Sequence, residues 1–292
     1  MVSVGVFAGL TFGGYSHNLD TMYEKLHSDD DNGANLGDLW IDNKTAVWTP
    51  NQVNEFCTAL ENSWDKSIPF GLDSCEGRTI IQGTTIIDTG SGEEIINSLW
   101  HGIPEGANAD RVWMPEEHTE GRVAVADNEI VIDAHVTDAL NLGLGDNLNI
   151  SAGTSSMEFL IVGIAYHPQH VFLAPEGSFF PPEAGEYIVG YVSDSGMARL
   201  TDTELGSSNT IILDVEGTPS FDLPDTEEYE GDEIDKVKSV VDSVLESQEL
   251  DARVRDRGQN EPIEVMRQDL EGAKRTTVPF TVSPQSPRLQ LS

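Results

Sequence analysis

Positive charge is what this sequence has least of. Lysine and arginine number 16 against 51 aspartates and glutamates, a formal net charge of −35. A surface of that sign repels nucleic-acid phosphates and anionic lipid headgroups, so nucleic acid is excluded as a partner, as is membrane binding through a basic patch. The chain is still 38% hydrophobic, with five tryptophans and ten phenylalanines, which argues against disorder. Acidity spread over a folded chain, with lysine rarer than arginine, is expected of a protein working in concentrated salt, as in a halophilic archaeon, where screening removes most of the self-repulsion. A calcium-loaded surface protein is the competing reading. Its candidate loop, Asp29-Asp30-Asp31-Asn32-Gly33, lacks the carboxylate spacing and the following bidentate glutamate of an EF-hand, and reads as a solvated acidic loop.

Catalytic signatures are also missing. There is no GxxxxGK[ST] phosphate loop, no HExxH, no CxxC and no GxSxG, the stretch Gly190–Gly196 failing to match the last. His101, Glu116, Glu117 and His118 share one loop but lack the spacing of a metal site. Pairs such as Glu116/Glu117 suit a glycosidase, but among 51 carboxylates they arise by composition. The expectation is therefore no catalytic residue, no cofactor and no metal. Only Cys57 and Cys75 are available for redox chemistry. In an oxidising exterior they can close a loop worth about 3 kcal/mol; two buried thiols are the alternative.

No apolar run reaches the roughly twenty residues a membrane helix needs. The opening MVSVGVFAGLTFGG is apolar but short and has no basic lead, so it reads as the outer end of a membrane helix or as a buried amphipathic start. Leu19, Met22, Tyr23 and Leu26 continue it at helical spacing.

Along the rest of the chain, a strand is expected at 39–48. A helix then opens at Thr49-Pro50 with Val53, Phe56, Cys57 and Leu60 on one face, and a strand follows over 77–88. A short helix over 91–100 is expected next, then a punctuated loop to 121. Later come a loop with Phe179-Phe180-Pro181-Pro182, strands at 186–192 and 209–216, an acidic linker at 217–233, a helix striped by Ile234, Val237, Val241, Val244 and Leu245, a strand from Leu250, and a helical pattern over 261–273.

The most informative stretch runs from Gly121 to Tyr166. A strand ends at Asp133, which is placed to cap a short helix carrying Val136, Ala139, Leu140 and Leu144. Gly143 and Gly145 are expected to end that helix, and Gly145-Asp146 to turn the chain. Leu148 and Ile150 then alternate as a strand, and Phe159–Ala165 is a nearly continuous apolar run around Gly163.

This segment, EIVIDAHVTDALNLGLGDNLNI…EFLIVGIAY with its Gly121-Arg122 lead-in, resembles the extracytoplasmic (MacB-like periplasmic core) domain of MacB/FtsX-type ABC transporter permeases. The matching residues, Gly121, Arg122, Asp133, Gly143, Gly145, Asp146 and Gly163, are structural. The resemblance implies an α+β fold of two lobes, in which a mostly-β lobe is inserted into a membrane-proximal βαβ-containing lobe. Residues 37–90 and 208–258 would form the latter and 91–207 the former, with 1–36 and 259–292 leading to membrane helices. It also implies a cell-membrane protein with this domain on the extracellular face, a cytoplasmic ABC ATPase partner, a second permease subunit, and an unknown substrate or surface protein that receives ATP-driven motion. A surface-attached acidic hydrolase and an adhesion module are the alternatives. The layout makes one sharp demand: strands 39–48 and 77–88 should share a sheet with 209–216, while Leu140, Leu142, Leu148, Phe159 and Ile161 belong to a separate core with no deep polar pocket.

Overall fold

The computed structural model describes residues 25–26, 28, 33–64, 68, 71–88, 92–115, 119–170, 183–216 and 232–259. The first lobe is drawn from both ends of this range. Strand β1 (Leu39–Asn43) leads through Trp48, which bridges to Ser208, into helix α1 (Pro50–Ser63). Thr49 and Gln52 close a capping box ahead of it, each side chain accepting from the other's backbone N–H, with proline at the start. Strand β2 (Leu72–Arg78) follows, and a disulfide joins Cys57 of α1 to Cys75 of β2.

The chain then leaves for the second lobe: β3 (Ile80–Asp88), β4 (Glu93–Ile103), β5 (Glu120–Gly121), β6 (Glu129–Asp133), α2 (Ala134–Leu140), β7 (Asn147–Ala152), β8 (Ser155–Ala165), β9 (Tyr187–Ser193) and α3 (Asp194–Thr201). It returns as β10 (Thr210–Val215), α4 (Asp232–Ser247) and β11 (Ala252–Asp256).

The first lobe's sheet has the order β11-β1-β10-β2, with every neighbouring pair antiparallel. Strands β1 and β2 are therefore parallel to each other across β10, and β10 and β11 across β1. These are two interleaved split β-α-β units. Alternation sends Leu39, Ile41, Ile211, Leu213 and Val215 to one face, where Phe56 and Leu60 of α1 and Val237, Val241 and Val244 of α4 cover them. Ile212 and Trp40 face the other way, toward Leu36 and Ala109.

The second lobe's sheet closes on itself. Its order is β5-β8-β6-β9-β4-β3-β7, and β7 pairs back onto β8. Strands β8, β6, β9, β4, β3 and β7 thus form a barrel, with β5 attached to β8 beyond the end of β7 at Gly121↔Gly163. Ile96, Trp100, Ile130, Ile132, Leu148, Ile150, Phe159, Ile161, Ile188 and Val192 fill it, Val136 of α2 and Met197 and Leu200 of α3 pack onto the same core, and Leu140 and Leu142 lie against it. Closure removes the open edges that a sheet of this length would otherwise present.

Several sequence expectations need correcting. The stretch read as a helix over 91–100 is strand β4, paired along its length with β3 and in parallel with β9. Its alternation of buried Ile96, Ser98 and Trp100 fits a barrel stave, and two flanking ladders outweigh a weak helical pattern. The strand read as 77–88 breaks at Thr79, so its first part lies in the open sheet and its second in the barrel. At the break, Asn209 acts as a substitute neighbour: its Oδ1 accepts from Ile80 N–H at 2.8 Å and its Nδ2 donates to Ile80 O at 2.7 Å. Sheet membership therefore changes at Thr79, inside the segment 37–90 assigned by sequence to one lobe. Strand β1 stops at Asn43 instead of running on to Trp48. Helix α2 ends at Asn141, in the left-handed conformation, before either glycine, and Leu144 is exposed. The expected membrane-helix end, the acidic run 29–32, residues 116–118, the Phe179–Pro182 loop, the linker 217–231 and the helix 261–273 lie outside the described residues. Among the described residues, no helix is long and apolar enough to cross a membrane.

Candidate functional site

The two lobes meet in a buried polar junction around Asp110, in the loop that follows β4. Asp110 is held by backbone bonds from the first lobe, its N–H donating to Asn35 O at 2.8 Å. Its carboxylate accepts from Gly37 N–H at 2.9 Å and from the Trp40 indole at 2.8 Å, both on the sheet side. From the barrel side, Gln169 donates to the same carboxylate. Burial is the main influence on this group and pushes its pKa up, against the opposing pull of the Gly37, Trp40 and Gln169 hydrogen bonds and the Arg78 charge. Arg78, buried at the end of β2, donates to Ala109 O at 2.7 Å and to Glu76 at 2.7 Å. Asn35 bonds to Asn108 O at 3.1 Å and to Asp214 at 2.7 Å. The junction is thus a web of charge-assisted hydrogen bonds that fixes one lobe against the other.

Beside it lie three histidines. The registers of β4, β9 and β6 put His101, Tyr191 and Val131 in one row on the barrel's outer face. The short turn Pro168–His170 after β8 brings His167 and His170 over that row. His167 stacks on Tyr191, ring centroids 4.9 Å apart and planes 11° apart, and lies 3.8 Å from the His101 ring. Tyr191 is pinned by its hydroxyl, which donates to Tyr166 O at 2.7 Å. Burial holds the His101 and His167 pKa values well below the usual imidazole range, with further lowering of His101 by His170 and Arg78 and of His167 by His101, His170 and Arg78. Burial, helped by the Arg255 charge, lowers His170 to about 4. All three are accordingly neutral at pH 7, with lone pairs available.

The sequence places His101 in one loop with Glu116, Glu117 and His118, a set without metal-site spacing. The structure groups His101 with His167 and His170, which are 66 and 69 positions further along, by the register of the barrel and the turn that leaves it. The only sequence signal was the spacing of His167-Pro168-Gln169-His170 after an apolar run.

The residues carrying the family resemblance lie elsewhere, around the β5, β6 and β8 corner of the barrel. Gly121 and Gly163 face each other across β5 and β8, and each is required by close approach. A Cβ on Gly121, whose φ is +81°, would come within 2.2 Å of Val162 O, and one on Gly163 within 2.3 Å of Arg122 O. Arg122 forks onto Glu129. That contact, aided by N–H bonds from Val125 and Ala126 against some opposing burial, holds Glu129 at about 2. Asp133 caps α2 by accepting from His135 N–H at 2.8 Å. Asp146 accepts from Gly143 N–H at 2.8 Å, while Gly145, φ +92°, turns its N–H onto Ile161 O at 2.9 Å. Each of these residues shapes a turn, a cap or a close strand contact.

No protein-family model matches the chain, and no curated protein is similar to it in sequence. Among solved structures, it is similar to the periplasmic region of MacB from Actinobacillus actinomycetemcomitans, at 11% identity and a TM-score of 0.40, over 80% of this chain and 92% of that one. It is also similar to the extracellular domain of the noncanonic ABC-type transporter YknZ from Gram-positive bacteria, at 12% identity and a TM-score of 0.38, over 75% of this chain and 98% of that one.

Proposed function

We propose that this chain is the extracellular domain of a MacB/FtsX-type ABC transporter permease, a non-catalytic part that passes motion from a cytoplasmic ATPase to a substrate or a surface partner. One observation carries the reading. The two ends of the described chain, β1-α1-β2 and β10-α4-β11, interleave into one sheet, while strands β3, β4 and β6 to β9, between Thr79 and Asn209, close into a separate barrel. That is the layout the Gly121–Tyr166 resemblance implies, with a lobe near the membrane made by both termini and an inserted lobe projecting outward. Residues 1–36 and 259–292 then lead toward membrane helices, and two such domains stand side by side in a pair of permease subunits. The Asp110 junction supports the mechanical part: a lobe that carries displacement must move as one piece with the lobe that receives it.

The test uses the permease reconstituted with its ATPase. Spin labels are placed at exposed Ile95 on the barrel and at exposed Glu55 on α1. On nucleotide binding, the Ile95-to-Ile95 distance between the two copies is expected to change while the Glu55-to-Ile95 distance within one copy stays fixed. An unchanged distance between copies in the presence of nucleotide would overturn the reading.

A further inference from the structure

His101, His167 and His170 each offer a ring nitrogen, and these three atoms all lie within 4.8 Å of one another. His101 Nε2, His167 Nε2 and His170 Nδ1 are also buried without any hydrogen-bond partner. An unsatisfied buried polar atom gives up its hydration with nothing in return, and native proteins leave few of them. Three such atoms on three adjoining imidazoles are not explained by packing, since a phenylalanine or leucine would fill the same space without that loss.

We propose that His101, His167 and His170 form a binding site for one divalent transition-metal ion of the zinc, cobalt or copper class, at the junction of the two lobes. Three imidazoles are a donor set for those ions and a poor one for calcium or magnesium, which take oxygen. The surroundings admit the charge. Arg78 and Arg255 are the cations whose charge is felt at the cluster, and both are paired, Arg78 with Glu76 and Arg255 with Asp42. Gln169, between two of the histidines, ties their turn to the Asp110 carboxylate. Zinc bonds to nitrogen at about 2.0–2.1 Å, so tetrahedral ligand atoms stand about 3.4 Å apart, and ring nitrogens that lie up to 4.8 Å apart must close in by at most about 1.4 Å to hold it. His167 Nδ1 accepts from Gln169 N–H at 3.1 Å, so its unliganded ring carries the proton on Nε2. Binding through Nε2 moves that proton to Nδ1 and breaks the Gln169 contact. Metal entry therefore rearranges the turn 168–170, which is the link between the barrel and Asp110.

The acidic surface sets the design of the test, because its many carboxylates also collect divalent ions. The 292-residue chain is titrated with cobalt(II) in molar KCl and excess magnesium. Expected are one equivalent bound, the intense visible absorption of nitrogen-ligated cobalt of low coordination number, and a zinc-dependent rise in melting temperature. His101→Phe and His170→Phe should each abolish the absorption. Pale six-coordinate cobalt that magnesium displaces, or an absorption unaffected by either substitution, would overturn the site. Should the variants fail to fold, copper(II) bound to the unaltered chain decides by paramagnetic resonance. Nitrogen splitting from several imidazoles supports the site, and a spectrum from oxygen ligands alone defeats it.

Discussion

The two lobes solve the same problem by different means. The first is an open sheet of four strands with helices α1 and α4 on one face, and among the described residues its outer strands, β2 and β11, pair on one side only. It is held by a cross-link and by a helix that arrives late in the chain: the Cys57–Cys75 disulfide fastens α1 to the β2 edge, and α4 returns from the far side of the insertion to complete the core. The second has no edge in its ring and no disulfide. It is held from within by a side-chain plug, of which Trp100 is the largest member. Closure substitutes for cross-linking in the barrel, while the open sheet depends on elements that arrive late in the chain. Substitutions should therefore act differently in the two lobes.

The largest effect is expected from Trp100→Ala. Its ring occupies the space that Gly190 leaves, where a Cβ would come within 2.4 Å of it, and its indole N–H donates to Ser98 Oγ at 2.9 Å. Removing it empties the barrel's centre and leaves Ser98 without one of its two partners, the other being the Thr85 hydroxyl. A loss of about 3–5 kcal/mol is expected. In chemical denaturation the barrel should unfold in an earlier, separate transition while the open sheet persists. A single shifted transition would show that the Asp110 junction couples the lobes more strongly than their separate cores suggest. Next in size is the disulfide. Reduction, or Cys57→Ser with Cys75→Ser, should cost about 3 kcal/mol. Hydrogen exchange should accelerate in α1 and β2 and stay unchanged in the barrel staves, and loss of protection in both lobes would contradict the division.

What could be seen in the sequence was local. The α1 cap at Thr49-Pro50, the Asp133 cap, the helix–turn–strand around Asp146 and the striped helix at 234–245 are all encoded within a turn or two of chain. Closure of the barrel was not legible, because the β3–β7 pairing and the parallel β4–β9 pairing are long-range choices that leave no periodic mark. Strand β4 reads as helical for the same reason: its Glu-Glu-Ile-Ile start follows no strict alternation, and only its two neighbours make it a stave. The break at Thr79 is set by Asn209, which lies 129 positions from Ile80. The histidine site was hidden likewise, since His101 on β4 meets His167 and His170, which follow β8, only through the successive β4–β9, β9–β6 and β6–β8 pairings.

The smallest expected effect is a pH dependence that separates the lobes by sign. Asp214 lies on the junction face of β10, accepting from Asn35 Nδ2 at 2.7 Å, near the Asp38–Arg257 pair at 3.1 Å. Burial, followed by repulsion from Asp38 and Asp73, outweighs the Asn35 bond and Arg257 and pushes it up to about 7. The folded chain thus keeps a proton that the unfolded chain has already lost at pH about 4, so this group's stabilisation fades as pH rises from about 4 to about 7. Glu129, in the barrel, does the opposite: held at about 2, its contribution is complete above pH about 4.3 and is lost only as pH falls toward 2. The lowered histidines also act against Asp214, because the unfolded chain takes up protons below pH about 6.5 that the folded site refuses until about pH 4, as at His170. Comparison of Asp214→Asn with the unaltered chain cancels the histidines, which both carry. The variant, which mimics the protonated form, is expected to match the unaltered chain only below pH about 4, to pull ahead as pH rises, and to exceed it by on the order of 1–2 kcal/mol at pH 8, since Asp38 and Arg257 share in the shift. Melts followed by probes in each lobe should place that gain in the open sheet alone. A variant less stable than the unaltered chain at pH 8 would mean that Asp214 is ionised there and anchored by Arg257, making the junction a salt-bridged lock instead of a protonated one.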